Sequence, residues 1–219
     1  MNRAFPRSNP GPGIGLPWTT TDREEGAGSI PALEPNDADP HPPVAAPPDP
    51  RPWLESHRDG LVIALDWPVI VEAAEAARLG RHRDLVALDQ GYPARRTGPW
   101  AEASFRVGRR QLSRLRAARD LRAVQRYLDA AEEGRAQAWN PIVFGVALAA
   151  FHLPYRQGLL HYGGTLLRGL AERCRPAGVS IDAWNAWIDR LEAPLPDAVN
   201  RLLPRAFEAP GSPTRAIVP

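Results

Sequence analysis

Proline placement constrains this chain more than any other feature. Of its 25 prolines, 13 fall in the first 52 residues, in steps such as GPGIGLP and PHPPVAAPPDP. Proline removes a backbone donor and biases its predecessor away from the helical region, so this stretch is expected to be an extended or disordered head. It reads either as a ligand for an aromatic groove or as a plain flexible tail, and the composition favours the tail. From Trp53 onward the prolines stand between apolar-periodic stretches, where they mark helix starts and stops. The expected organisation is a proline-rich head over 1–52, a helical domain over 53–208 and a flexible tail over 209–219.

Within the body, Leu54 to Leu65 predicts a short helix. Asp66 stands where an N-cap belongs, with Pro68 in the first turn that tolerates it. The segment VIVEAAEAARLG then predicts a helix stopping at Gly80, and RHRDLVALDQGY a further short one. After a break from Pro93 to Pro99, WAEASFRVGRRQLSRLRAAR predicts a long helix. It carries Ala103, Val107, Leu112 and Leu115 near one face and arginines opposite. LRAVQRYLDAAEEG is amphipathic and ends at Gly134. Asn140 and Pro141 open IVFGVALAAFHL, which is apolar on every side and predicts a buried central helix. Pro154 opens a helix that runs to Pro176, and Ser180 caps IDAWNAWIDRL. Beyond Pro194 short proline-punctuated pieces are expected. No stretch alternates with the period of a strand, so the expected fold class is all-α.

The 27 basic and 25 acidic residues leave a formal net charge of +2. That balance argues against nucleic acid as the main partner, because phosphate binding needs a basic excess. Every basic residue is arginine, whose planar fork suits bidentate contacts with carboxylates. Cys174 is the single cysteine, which rules out an internal disulfide and points to a reducing compartment. The first residues carry no continuous apolar core of a secretory signal, and the apolar run from Ile142 to Leu153 is too short to span a bilayer. The expectation is a soluble cytoplasmic protein with no membrane partner.

Common catalytic patterns are missing. GPGIG lacks the Lys-Ser/Thr end of a phosphate loop, and no G-x-S-x-G elbow occurs. The five histidines form no His-x-x-x-His pair, and no Cys-x-x-Cys is present. His152 and His161 flank one helix junction and read either as ordinary polar residues or as a metal pair. Cys174, beside Arg173 and Arg175, reads either as a thiolate lowered by positive neighbours or as a half-buried residue at a helix end. The sequence favours the plainer reading for all three, with no cofactor and no metal ligand set.

Four segments, in order, resemble the UreF family of urease accessory proteins. DWPVIVEAAEAARLGRHRDLVALD is similar to that family's Asp-x-Pro helix, Gly-polar turn and second helix. In WAEASFRVGRRQL the matching positions are Glu102, Ala103, Ser104, Gly108, Arg109 and Leu112. In WNPIVFGVALAAFHLPYRQGLLHY they are Pro141, Val143, Phe144, Gly145 and Tyr162, and in RCRPAG they are Arg173, Pro176 and Gly178. The resemblance covers roughly residues 60–195. The chain departs from the family in lacking its Leu-Pro-x-Gly-Gly-Phe opening and its Met-, His- and Arg-Ser-bearing C-terminal segment. It also has Val179 and Ala183 where the family carries glutamines.

The resemblance implies a UreF-like helical bundle and a non-enzymatic chaperone. Such proteins bind the accessory protein UreD and the GTPase UreG and help deliver nickel to apo-urease, with homodimerisation among their contacts and nickel handled by the complex. A diverged adaptor serving another partner is the alternative. Aromatics and arginines dominate binding hot spots, so Trp100, Arg109, Tyr162, Arg173 and Arg175 are candidate interface anchors. Ser104, Gly108 and Gly178 join them as family-matched positions. Ser104 and Gly108, four apart, offer one small-residue face to a neighbouring helix of this chain or to a partner.

Overall fold

Pro68 lies inside a helix rather than at its start. The computed structural model describes residues 47–92, 99–117 and 119–207. Its first helical stretch is continuous from α1 (Arg51–His57) through a π-helical segment (Arg58–Asp66) into α2 (Trp67–Arg78). A proline within a helix lacks its own donor and crowds the carbonyl four residues back. The wider winding just before Pro68 accommodates it: the Trp67 N–H donates to the Val62 carbonyl, five residues earlier. This corrects two expectations. The helix foreseen over Leu54–Leu65 does not stop there, and Asp66 is no N-cap, since it has helical backbone angles (φ −70°, ψ −44°) and makes no capping bond.

The remaining helices are α3 (His82–Gly91), α4 (Pro99–Leu115), α5 (Arg122–Glu132), α6 (Asn140–Ala150), α7 (Tyr155–Arg173), α8 (Ile181–Glu192) and α9 (Leu195–Phe207). No strand occurs among the described residues, and the fold is all-α. Gly80 and Gly134, with φ of 67° and 76°, take the left-handed conformation just past α2 and α5, which glycine adopts without a side-chain clash. Ser180 caps α8 as its sequence foretells, its Oγ accepting from the Ala183 N–H at 3.3 Å. Beyond Pro194 the expectation of short pieces is corrected: α9 is a single helix, and Pro196 sits in its first turn, where no backbone donor is needed. The expected disordered head up to residue 46, the break over 93–98 and the tail over 208–219 lie outside the described residues.

α6 is the axis of the molecule. Every residue from Asn140 to Leu148 is buried, as a helix apolar on all sides requires. Around it the core divides into two clusters. One joins α1, the π segment, α2, α7, α8 and α9 about Trp67, Leu159, Tyr162 and Trp184. The other joins α2, α3, α4, α5 and α6 about Leu85, Tyr127, Ile142 and Val143. α2 and α6 meet almost backbone to backbone. A Cβ at Gly145 would lie 2.4 Å from the Ile70 carbonyl oxygen and 2.8 Å from the Ala73 Cβ, and Ala73 and Ala74 are fully buried. Small residues on both helices allow this approach; a branched residue on either would push them apart.

A paired substitution tests the packing. Gly145→Ala removes a helix-weakening glycine but drives a methyl into backbone, and overpacking of that kind costs about 1–3 kcal/mol or more. Gly60→Ala meets no atom within 4 Å, so the helix preference for alanine is expected to stabilise by about 0.5–1 kcal/mol. Urea unfolding of the two variants should move the midpoint in opposite directions.

Candidate functional site

Two fully buried aspartates, Asp89 of α3 and Asp66 at the end of the π-helical segment, each organise a polar network. Asp89 is fully buried. Its Oδ2 accepts from the Tyr127 hydroxyl of α5 at 2.5 Å and from the Ala138 N–H at 3.0 Å, while Oδ1 accepts from the Gln137 N–H at 2.5 Å. The Trp139 N–H is 3.4 Å from Oδ2. One carboxylate thus satisfies the backbone donors of the non-helical segment that leads into α6, where the positive end of the helix dipole also favours it. Ala138 has a φ of 64°, an uncommon conformation for a residue with a Cβ, held here by bonds on both sides. Burial, with the Asp89 carboxylate beside it, pushes the Tyr127 hydroxyl well above its ordinary pKa and keeps it a donor.

The second network centres on Asp66, also fully buried. Its Oδ1 accepts from the Tyr92 hydroxyl at 2.7 Å, just past α3, and its Oδ2 from the Tyr162 hydroxyl of α7 at 2.7 Å. The Tyr162 hydroxyl lies 3.4 Å from the Asn140 amide nitrogen at the start of α6. Asn140 is itself tied to α4, its N–H donating to the Ser104 Oγ at 3.3 Å. The carboxylate that reads as a helix cap instead joins the α2 junction, α3 and α7 and, through Tyr162, reaches α6.

Against this framework the eight residues singled out from the sequence separate into inner and outer groups. Ser104, Gly108 and Tyr162 are buried and make their contacts within the chain. A Cβ at Gly108 would lie 1.9 Å from the Ala138 carbonyl oxygen and 2.6 Å from the Asn140 nitrogen. The small-residue face of α4 therefore receives the segment that Asp89 grips from the other side. Arg109, Arg173, Arg175 and Gly178 are exposed. Arg109 is held in place: its guanidinium carbon is 5.2 Å from the Phe105 ring centroid, and Nη2 donates to the Ala131 carbonyl at 3.2 Å. Arg175 Nη1 donates to the Val179 carbonyl at 2.6 Å, closing the turn that contains Gly178, whose φ is 86°. Trp100 stands in the first turn of α4, and its side chain lies outside the described residues. Arg109 on α4 and the Arg173–Gly178 segment at the end of α7 sit on different elements, so the exposed arginines among these eight residues fall at two separate places.

The residues weighed for catalysis are dispersed in role. His152 is exposed, with a φ of 53° just past α6. Burial lowers the pKa of His161, which favours its neutral form. Cys174 is buried, and desolvation pushes its thiol up despite the opposing charge of Arg173. Among the described residues no group of three or more His, Cys, Asp or Glu side chains could hold a metal ion, and no helix is long and apolar enough to cross a membrane.

Residues 44–174 match the model of the UreF family, which spans more than half of the chain. This all-helical chain therefore belongs to the UreF family, a family of urease accessory proteins. No curated protein and no solved structure matches it. The match ends at α7, so α8 and α9 lie beyond it. Among the family positions that the sequence singles out, Ser104 and Gly108 fix α4 to the start of α6, Gly145 lets α6 meet α2, and Tyr162 ties α7 to Asp66 and to the start of α6.

Asp66, Asp89 and Tyr127 escape a reading of the sequence: Asp66 before Pro68 has the pattern of a helix cap, and Asp89 and Tyr127 lie in amphipathic stretches that do not by themselves show a buried polar pair. The one available signal is the side of the helix: Asp89 shares a face with Leu85 and Tyr92, both buried. Loss of one hydrogen bond to a buried charged group costs about 1.5–3 kcal/mol, and this is the expected effect of Tyr127→Phe. Asp89→Ala strands several donors together and is expected to cost more, about 3 kcal/mol at least. Because both act on one bond, the double variant should lose less than the sum of the singles in urea unfolding. Strict additivity would show the bond to be uncoupled. For Cys174, disulfide-exchange labelling of the native chain should be slower than that of free cysteine at neutral pH, and should quicken only above the ordinary thiol range.

Proposed function

We propose that this chain is a non-enzymatic maturation chaperone, cytoplasmic, that docks the accessory protein UreD and the GTPase UreG and promotes nickel insertion into apo-urease. The observation that carries this reading is the family match over residues 44–174, which embraces α1 to α7 and so the whole doubly buttressed centre of the fold. The chain makes and breaks no bond in this mechanism. Its work is to hold exposed groups at fixed positions, so that association loses little side-chain freedom. Arg109, already constrained by Phe105 and Ala131, and Arg175, constrained by Val179, fit that requirement. Arg173 and Gly178 complete the second site, and Trp100 extends the first. Ser104, Gly108 and Tyr162 serve partner binding by fixing the helices that carry these residues. Homodimerisation is proposed as part of the same assembly.

The diverged adaptor reading has one observation in its favour. α8 and α9 extend past the matched region, and Val179 and Ala183 replace the glutamines that the resemblance leads one to expect there. Co-purification with UreD and UreG from the source organism, read by size-exclusion chromatography with light scattering, separates the two. A stable complex is expected, weakened about fivefold or more by Arg109→Ala or Arg173→Ala, the loss that a hot spot worth over about 1 kcal/mol produces. A chain that ignores both partners would retain the family fold and lose the proposed role.

A further inference from the structure

Arginine is concentrated in one part of the molecule. Residues 106–126 hold eight arginines and a single acid, Asp120, in a chain whose formal net charge is only +2. They run along the outer side of α4, across its connection to α5 and into α5 itself. Several are engaged within the fold: Arg116 pairs with Glu132, Arg109 with Phe105 and Ala131, and Arg126 lies 3.4 Å from His82 Nδ1. Arg114, Arg119 and Arg122 are different. All three are exposed, and the guanidinium of none makes a hydrogen bond or ion pair with another described residue. Like charges gathered without counter-charge repel one another and attract whatever acidic group can reach them.

The complementary charge is present in the same chain. Residues 22–39 carry six carboxylates, Asp22, Glu24, Glu25, Glu34, Asp37 and Asp39, against one arginine, Arg23. From the first described residue at 47 the chain back to 39 reaches about 27 Å when extended and the chain back to 22 about 80 Å, so Asp22, Glu24 and Glu25 have the longest reach. A domain of this size has a radius of gyration of roughly 15 Å. A tethered segment also meets the site at an effective concentration on the order of millimolar. Nucleic acid fits the corner less well. The large apolar side chains exposed among the described residues are Leu79 and Ile181, so the described residues offer no exposed aromatic platform for base stacking there.

We infer that the arginine corner where α4 passes into α5 is the docking site of the chain's own acidic segment, residues 22–39. The contact is electrostatic, carboxylates of the segment meeting the guanidinium forks of Arg114, Arg119 and Arg122. This assignment rests on charge and reach, and it stands whether or not the proposed urease partners bind.

Paramagnetic relaxation tests it in the full chain. A nitroxide is placed at Ser29→Cys in a Cys174→Ala background whose melting temperature is first matched to that of the native chain. At low ionic strength the backbone amides of Arg114, Arg119 and Arg122 should lose most of their intensity, and molar sodium chloride should restore it. The triple variant Arg114→Gln, Arg119→Gln, Arg122→Gln, exposed at all three positions, should fold normally and show no such loss. Full intensity at low salt would overturn the inference, as would broadening that survives in the triple variant. Broadening seen only between separately labelled molecules would assign the contact to two copies and also overturn it. So would undisturbed amides that shift instead on adding a uridine 20-mer.

Discussion

The Asp89 carboxylate is the interaction on which the rest of this structure depends. The segment before α6 turns from exposed Gln137 into the interior at Ala138 and Trp139, and its backbone N–H groups need acceptors. Asp89 supplies them for Gln137, Ala138 and Trp139 from one side chain, and Tyr127 adds a hydroxyl donor from α5. α6 therefore begins at a fixed place and in a fixed direction. Because α6 is buried along most of its length, its placement sets those of α2 and α4, which pack on it through Gly145 and Gly108. A buried charge is costly unless fully hydrogen-bonded. The same cost makes any alternative position for α6 unfavourable, because it would leave both the carboxylate and the donors unmet.

Asp66 extends the principle to the other half of the core. Tyr92 and Tyr162 reach it from α3 and α7, and Tyr162 faces Asn140 beside the segment that Asp89 holds. The two networks thus meet at the start of α6. Polar networks of this kind restrict the core to one packing where apolar contacts alone tolerate several. The exposed arginines are carried on that frame: Arg109 on α4, and Arg173 to Arg175 at the end of α7.

Most of the secondary structure was legible in the sequence. The left-handed glycines after α2 and α5, the Asn-Pro start of α6 and the Ser180 cap of α8 are local signals whose physics acts within a few residues. Where local signals misled, proline was the cause. Asp66 followed by Pro68 has the pattern of a helix start, yet the π winding carries the helix through it. Pro194 and Pro196 look like breaks, yet Pro196 falls in the first turn of α9. In each case a neighbouring backbone arrangement removed the cost that proline ordinarily imposes. The candidate site was legible in part. Arg109, Arg173 and Arg175 do stand at the surface, but nothing local could show that Ser104, Gly108 and Tyr162 would be covered by segments distant in sequence.

By itself, then, the sequence determined the helical class, the central place of α6 and the family, because periodicity, composition and motif spacing are properties of a chain in one dimension. The tertiary structure decided which polar residues go inside. Asp66 and Asp89 are no more apolar than the aspartates that remain at the surface. They are buried because donors from distant elements converge on them, and a convergence of that kind exists only once the chain has folded.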